Sequence, residues 1–175
     1  MEPEDVTLRL LQGEPAEMAA LQRVIEGAPL YAELMTGVPP GPADVQSTFT
    51  ILPEGKSYED KFVFGVLLGG RMVGCADLVL GYPTADTAYL GLLLISERFQ
   101  HRGIGQAAYH HLEAFVQGWG TCDRIRLAVV RVNEPVTSFW ERLGFRPTGE
   151  TKPYRYGPVI SESILFERAL KRAVA

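Results

Sequence analysis

The sequence predicts a single α/β domain over residues 1–175, a mixed and mostly antiparallel sheet with helices on its faces. Three observations carry that expectation. Phe62 to Leu68 and Met72 to Leu80 are β-rich runs joined at Gly69-Gly70, a dipeptide suited to a hairpin turn. A further apolar run, Thr87 to Ile95, leads through a glycine-containing turn into an amphipathic helix. A second strand-then-helix pair follows from Ile125 and stops at Gly144.

Taken in order, Val6 to Leu11 alternates as a first strand. Pro15 to Ala28 places Met18, Leu21 and Ile25 on one helical face, with Glu14 and Glu17 near its positive end. A short helix is expected from Pro42 to about Phe49. Thr87 to Ile95 is apolar on both faces and therefore central in its sheet. In the next helix Ile104, Ala108, Leu112, Phe115 and Trp119 recur every three or four residues, which predicts one buried stripe. Ile125 to Val132 reads as a strand. Asn133 suits an N-cap, Pro135 fits a first turn, and Val136, Phe139, Trp140 and Leu143 share a face. Phe145 to Glu150 and Val159 to Leu170 close the chain as strands. The expected order is β-α-α-β-β-β-α-β-α-β-β.

Composition narrows the function. A hydrophobic fraction of 46% and a charged fraction of 22% are those of a globular domain. The net charge of −4 argues against nucleic-acid binding. No apolar run approaches a membrane span, and the acidic start Met1-Glu2-Pro3-Glu4-Asp5 is unlike a secretory signal. Cys75 and Cys122 have neither metal-ligand spacing nor disulfide density, so free thiols and a cytoplasmic location are expected. The three histidines lack partners at metal-site spacing, and His110 and His111 read as surface or packing residues.

The most informative stretch is Gln100-His101-Arg102-Gly103-Ile104-Gly105. Glycines at a strand-to-helix turn aim free N–H groups and the helix dipole at one spot, which suits a pyrophosphate. Gly103 to Ala108 also fits the dinucleotide pattern G-x-G-x-x-[GA]. That reading fails on context: three hairpin-linked strands come first, and Asp123 precedes its strand instead of ending it.

The arrangement resembles the GNAT superfamily of acetyl-CoA-dependent N-acyltransferases over almost the whole chain. Gln100, Gly103 and Gly105 match its [QR]-x-x-G-x-[GA] signature, Arg102 stands at an often basic position, and His101 replaces a frequent glycine. Asn133, Phe139, Trp140, Arg142, Gly144 and Phe145 match N-x-x-A-x-x-[FL]-[YW]-x-[KR]-x-G-F, with Val136 in place of the small residue. The resemblance implies an N-acetyltransferase that moves acetyl from acetyl-CoA to a primary amine by direct transfer in a ternary complex. It implies pyrophosphate over Gln100, His101, Arg102, Gly103, Ile104, Gly105 and Gln106. It places pantetheine along Leu93, Leu94 and Ile95 and near Asn133 and Trp140, with the Leu93 backbone N–H as oxyanion donor. No metal is implied, the acceptor is a small-molecule amine or a protein amino group, and a homodimer is among the assemblies relatives adopt.

The acid–base groups depart from the family. No carboxylate lies between Tyr89 and Ile95, so Asp77, in an apolar strand that would raise its pKa, is the expected base. Trp140 stands where many relatives have a proton-donating tyrosine, and an indole N–H is no practical acid. Tyr154 or Tyr156 is the alternative donor, and Glu26, Tyr31 and Glu33 are candidates for amine recognition. The missing tyrosine keeps a second reading open, a non-catalytic acyl-CoA-binding or regulatory module.

Overall fold

A computed structural model describes residues 5–171. The elements are β1 (Val6–Leu10), α1 (Pro15–Glu26), α2 (Pro29–Thr36), α3 (Pro42–Thr50), β2 (Lys61–Leu68), β3 (Arg71–Leu80), β4 (Thr87–Ile95), α4 (Ile104–Trp119), β5 (Arg124–Val130), α5 (Thr137–Arg142), β6 (Arg146–Tyr156) and β7 (Val159–Ala169). The seven strands form one sheet in the order β1-β2-β3-β4-β5-β7-β6. Every neighbouring pair is antiparallel except β4 and β5.

The two faces of the sheet are covered by different helices. On one, Leu78, Ala88, Leu90, Leu127 and Val129 pack with Tyr109, Leu112 and Val116 of α4 and with Trp140 of α5. On the other, Val63, Cys75 and Leu94 pack with Leu21, Val24 and Ile25 of α1 and Val45 of α3. The expected stripe on α4 holds at Ile104, Ala108 and Leu112 but not at Trp119, which is 50% exposed. Tyr109 and Val116 take the buried places, while Trp119 sits at the last helical residue and lays one edge against Phe62.

Two local features position the cleft. Between β3 and β4 the register shifts from Asp77↔Leu92 to Leu78↔Leu90, which leaves Gly91 as an unpaired extra residue in β4. This bulge reverses side-chain parity. Leu90 faces α4 before it; Leu92 and Leu94 face α1 after it. The parallel pairing of β4 with β5 is also short, Thr87↔Arg124 to Tyr89↔Arg126, and the strands then separate.

Helix α2 was not expected from the sequence. Its preceding residue, Ala28, gives no side-chain cap. The Leu30 N–H instead donates to the Glu97 carboxylate at 2.8 Å, from a residue 67 positions away. Asn133 is a correction in the other direction. It lies inside a 3₁₀ segment, residues 131–136, with φ −106° and ψ 25°, and makes no cap; α5 begins at Thr137.

His101 adopts a left-handed backbone with φ 59°. That conformation costs a Cβ-bearing residue roughly 1–2 kcal/mol, against roughly 0.5–1 kcal/mol of extra unfolded-state entropy for glycine. Replacing this exposed histidine, His101→Gly, should therefore leave stability unchanged or raise it by up to ~1 kcal/mol in urea denaturation. A clear loss would mean that the imidazole makes a stabilising contact.

Candidate active site

Where β4 parts from β5 a cleft of about 640 Å³ opens. Its walls are Leu90 to Ile95 of β4, Leu127 to Val130 of β5, one face of α2, the start of α4, and Asn133 with Phe139 and Trp140. The backbone of β4 is exposed there in alternation. The Ser96 N–H donates to the Val73 carbonyl on β3, whereas the Ile95 carbonyl points the opposite way and accepts from Gln100 Nε2 at 2.8 Å. With a period of two, the N–H groups of Leu93 and Ile95 point into the cleft. Beyond Tyr89 no β5 residue pairs with β4.

At the end of this cleft the first backbone bond of α4 runs from the Ala107 N–H to the Gly103 carbonyl. Among the described residues, the N–H groups of residues 101 to 106 have no protein acceptor. Gly103, with φ 77°, makes the left-handed turn that leads into α4. Gly105 matters through space. A Cβ there would lie 3.5 Å from Phe139, so a larger side chain would press on the cleft wall. Gln100 holds the loop through its bond to Ile95. Backbone N–H groups without protein acceptors at a helix N-terminus, beside a strand with free N–H groups, fit a pyrophosphate with an extended amide-bearing arm. Among the described residues no group of three His, Cys, Asp or Glu is arranged for a metal.

A second cavity, of about 470 Å³, adjoins the cleft on the α1 and α3 face. Tyr31, Met35, Gly91, Leu92 and Leu94 border both spaces, so the two meet beside the bulge. Asp77 lines the second cavity with Asp44, Lys61, Tyr82 and Tyr89. The bulge and the carboxylate are linked sterically: a Cβ at Gly91 would overlap the Asp77 carboxylate. Burial pushes the Asp77 pKa up to about 6, against the opposing pull of Lys61. Lys61 Nζ lies 3.7 Å from Asp77 Oδ2 and donates to the Ile51 carbonyl at 2.6 Å.

Several expected residues fall elsewhere. Tyr154 donates its hydroxyl to the Met35 carbonyl at 2.7 Å, and neither it nor Tyr156 lines the cleft or its neighbour. Glu26 and Glu33 are exposed and border neither space: Glu26 ends α1, and Glu33 lies two residues on from the half-buried Tyr31, on the opposite side of α2. Tyr31 is the tyrosine common to both; its apolar surroundings, and then Tyr154, Cys75 and Asp77, raise its pKa and keep the hydroxyl protonated. Trp140 is buried, edge-on to Phe139, Phe145 and Tyr109. His110 is exposed, and His111 bonds the Val6 carbonyl at 2.9 Å.

A splayed mixed sheet with a glycine turn at the mouth of its cleft is the arrangement that the resemblance to acetyl-CoA-dependent acyltransferases implies, and known proteins share it. The family model described as Acetyltransferase (GNAT) family matches residues 30–145. A crystallised acetyltransferase from Thermus thermophilus is 31% identical, with 94% of this chain and 97% of that one covered and a TM-score of 0.69. The ribosomal-protein-S18-alanine N-acetyltransferase of Escherichia coli is similar in fold at 19% identity, covering 97% and 96%, TM-score 0.69. Arabidopsis thaliana NAA60, solved with a bisubstrate analogue, is similar in fold at 15% identity, covering 96% and 99%, TM-score 0.66. No curated protein matches the chain. The chain belongs to the GNAT acetyltransferase family, whose shared chemistry is acetyl transfer from acetyl-CoA.

The raised pKa of Asp77 has a consequence for stability. An acid that holds its proton more tightly folded than unfolded contributes stability below its unfolded value, and that contribution is lost as the pH rises through the folded value. Wild type should therefore lose stability relative to Asp77→Asn between about pH 4 and about pH 6, by up to ~3 kcal/mol. Parallel urea-denaturation curves for the two proteins across that interval check this; a difference that stays constant would show that the carboxylate is solvated.

Proposed function

We propose that this protein is an N-acetyltransferase that carries acetyl from acetyl-CoA to a primary amine in a ternary complex. The observation that carries the proposal is the meeting of two cavities at the Gly91 bulge, beside a buried carboxylate. Acetyl-CoA takes the cleft, with its pyrophosphate over residues 100–106 and pantetheine paired to the free edge of β4. The amine takes the adjoining cavity and reaches the thioester past Gly91.

In this reading Asp77, ionised above pH 6, receives a proton from the acceptor ammonium, directly or through water. The neutral amine attacks the carbonyl carbon, forming the C–N bond as the carbonyl oxygen gains charge. The Leu93 N–H donates to that oxygen, a type of contact worth a few kcal/mol when preorganised. Collapse breaks the C–S bond and releases the amide and CoA thiolate. Tyr31, at the junction, hydrogen-bonds the departing sulfur and relays to it the proton that the attacking nitrogen loses, so its own hydroxyl is restored. The proton held by Asp77 returns to solvent.

Thiol release with a panel of primary amines tests the assignment; a folded protein that binds acetyl-CoA but releases thiol with none is a binding module. Gly105→Val should weaken acetyl-CoA at least tenfold by calorimetry, and unchanged affinity would move the pyrophosphate elsewhere.

Asp77→Asn should lower kcat much more than acetyl-CoA affinity and remove the acidic limb near pH 6 from the rate profile. Tyr31→Phe should lower kcat, while Trp140→Phe keeps most of it. Trp140→Ala should lose ~3–5 kcal/mol of stability through its cavity. An Asp77→Asn variant with a wild-type rate and profile removes the base; a well-folded Trp140→Phe variant that binds normally but loses orders of magnitude in rate gives that indole a role denied to it here.

A further inference from the structure

The arginines divide into two groups by their partners. On the β5–β7 side, Arg124, Arg126, Arg131 and Arg168 each meet a carboxylate within 4 Å. At the opposite end, Arg9 of β1, Arg23 of α1, Arg71 at the start of β3 and Arg98 after β4 line one cavity of about 540 Å³. Among the described residues none of these four has a carboxylate partner or a side-chain hydrogen bond. The cavity's one acidic residue, Glu17, is already committed. Its Oε2 accepts the N–H groups of Gln12, Gly13 and Glu14 at 2.8, 3.0 and 3.1 Å.

Phe99 holds two of these cations together. The guanidinium of Arg71 lies 5.5 Å from its ring centroid and that of Arg98 5.1 Å, with Arg102 of the glycine turn at 5.8 Å. Like charges brought onto one ring repel, and the ring face offsets only part of that repulsion. In a chain of net charge −4, four exposed guanidiniums without carboxylate partners around one concavity are a local concentration of positive charge suited to an oxyanion. The remaining wall is apolar or small: Ala16, Ala20, Val24, Leu67 and Met72.

We propose that this cavity between α1 and the β2–β3 hairpin binds a small, multiply charged phosphate compound, at a site separate from the acetyl-CoA cleft. Four guanidiniums against one committed carboxylate favour a ligand with more than one negative charge. The volume of about 540 Å³ suits a small molecule, and the apolar wall accommodates an organic body beside the phosphates. Phe99 is the one lining residue shared with the cleft. A bound phosphate would therefore fix Arg98 and Phe99, immediately before Gln100, and so touch the loop that faces acetyl-CoA.

Pyrophosphate is the probe. It is titrated calorimetrically at low salt into the wild-type protein, both free and saturated with CoA, and into Arg71→Gln/Arg98→Gln. The proposal expects binding that survives CoA saturation, weakens as ionic strength rises, and falls at least tenfold in the double variant. Acetyl-CoA affinity of the variant should change less than threefold, with an unaltered melting temperature. Pyrophosphate binding that CoA abolishes, or that the two substitutions leave unchanged, overturns the proposal. A double variant that loses CoA affinity but keeps dephospho-CoA affinity assigns the arginines to the 3′-phosphate of CoA, and equally overturns a separate site.

Discussion

The limited pairing of β4 with β5 is the constraint on which the site depends. Three register pairs, ending at Tyr89↔Arg126, hold the two halves of the sheet together. Had the ladder continued, Leu93 and Ile95 would donate to β5, and no edge would remain for a ligand. Ending it early exposes unpaired backbone, which is tolerable only where water or an extended ligand can pair with it. The hydrophobic cost of the gap is limited because α4 and α5 close one face of the sheet and α1 to α3 the other.

The Gly91 bulge works with the splay. One extra residue turns Leu92 and Leu94 to the α1 face, so that a continuous apolar run packs against both layers. The same bulge clears space in front of Asp77 that any side chain at residue 91 would fill. Burial of that carboxylate is thus a product of strand register. Its position diagonal to Lys61 follows from the pairing Val63↔Asp77, and Lys61 is itself held by the Ile51 carbonyl after α3. The wall of the second cavity and the buried acid are therefore mechanically joined.

Electrostatically the molecule is uneven. The arginines of the β5–β7 half sit in carboxylate networks, several of them exposed and individually weak. Those around Phe99 lack such partners. The α4 N-terminus and the arginine-lined cavity lie on either side of the Phe99 segment, and one ring contacts guanidiniums that belong to both.

The sequence by itself determined what depends on short-range pattern. The Gly69-Gly70 hairpin, the strand Thr87 to Ile95, the α4 core positions Ile104, Ala108 and Leu112, and the glycine turn all follow from periodicity and local backbone preference. Only the tertiary structure decided features fixed by distant partners. Helix α2 has local start and stop signals in Pro29 and Gly37, but it has no buried apolar face to give a helical period, and its N-terminus is satisfied by the distant Glu97. Asn133 matches a cap signal that the 3₁₀ segment around Pro135 overrides. Tyr31, one of three candidates in a variable stretch, borders both cavities while Glu26, at the end of α1, and Glu33, on the outer side of α2, border neither. Asp77 could be named from its apolar strand. Its buried setting, its lysine neighbour and its place beside the bulge needed the register of three strands, because each is a contact between residues far apart in the chain.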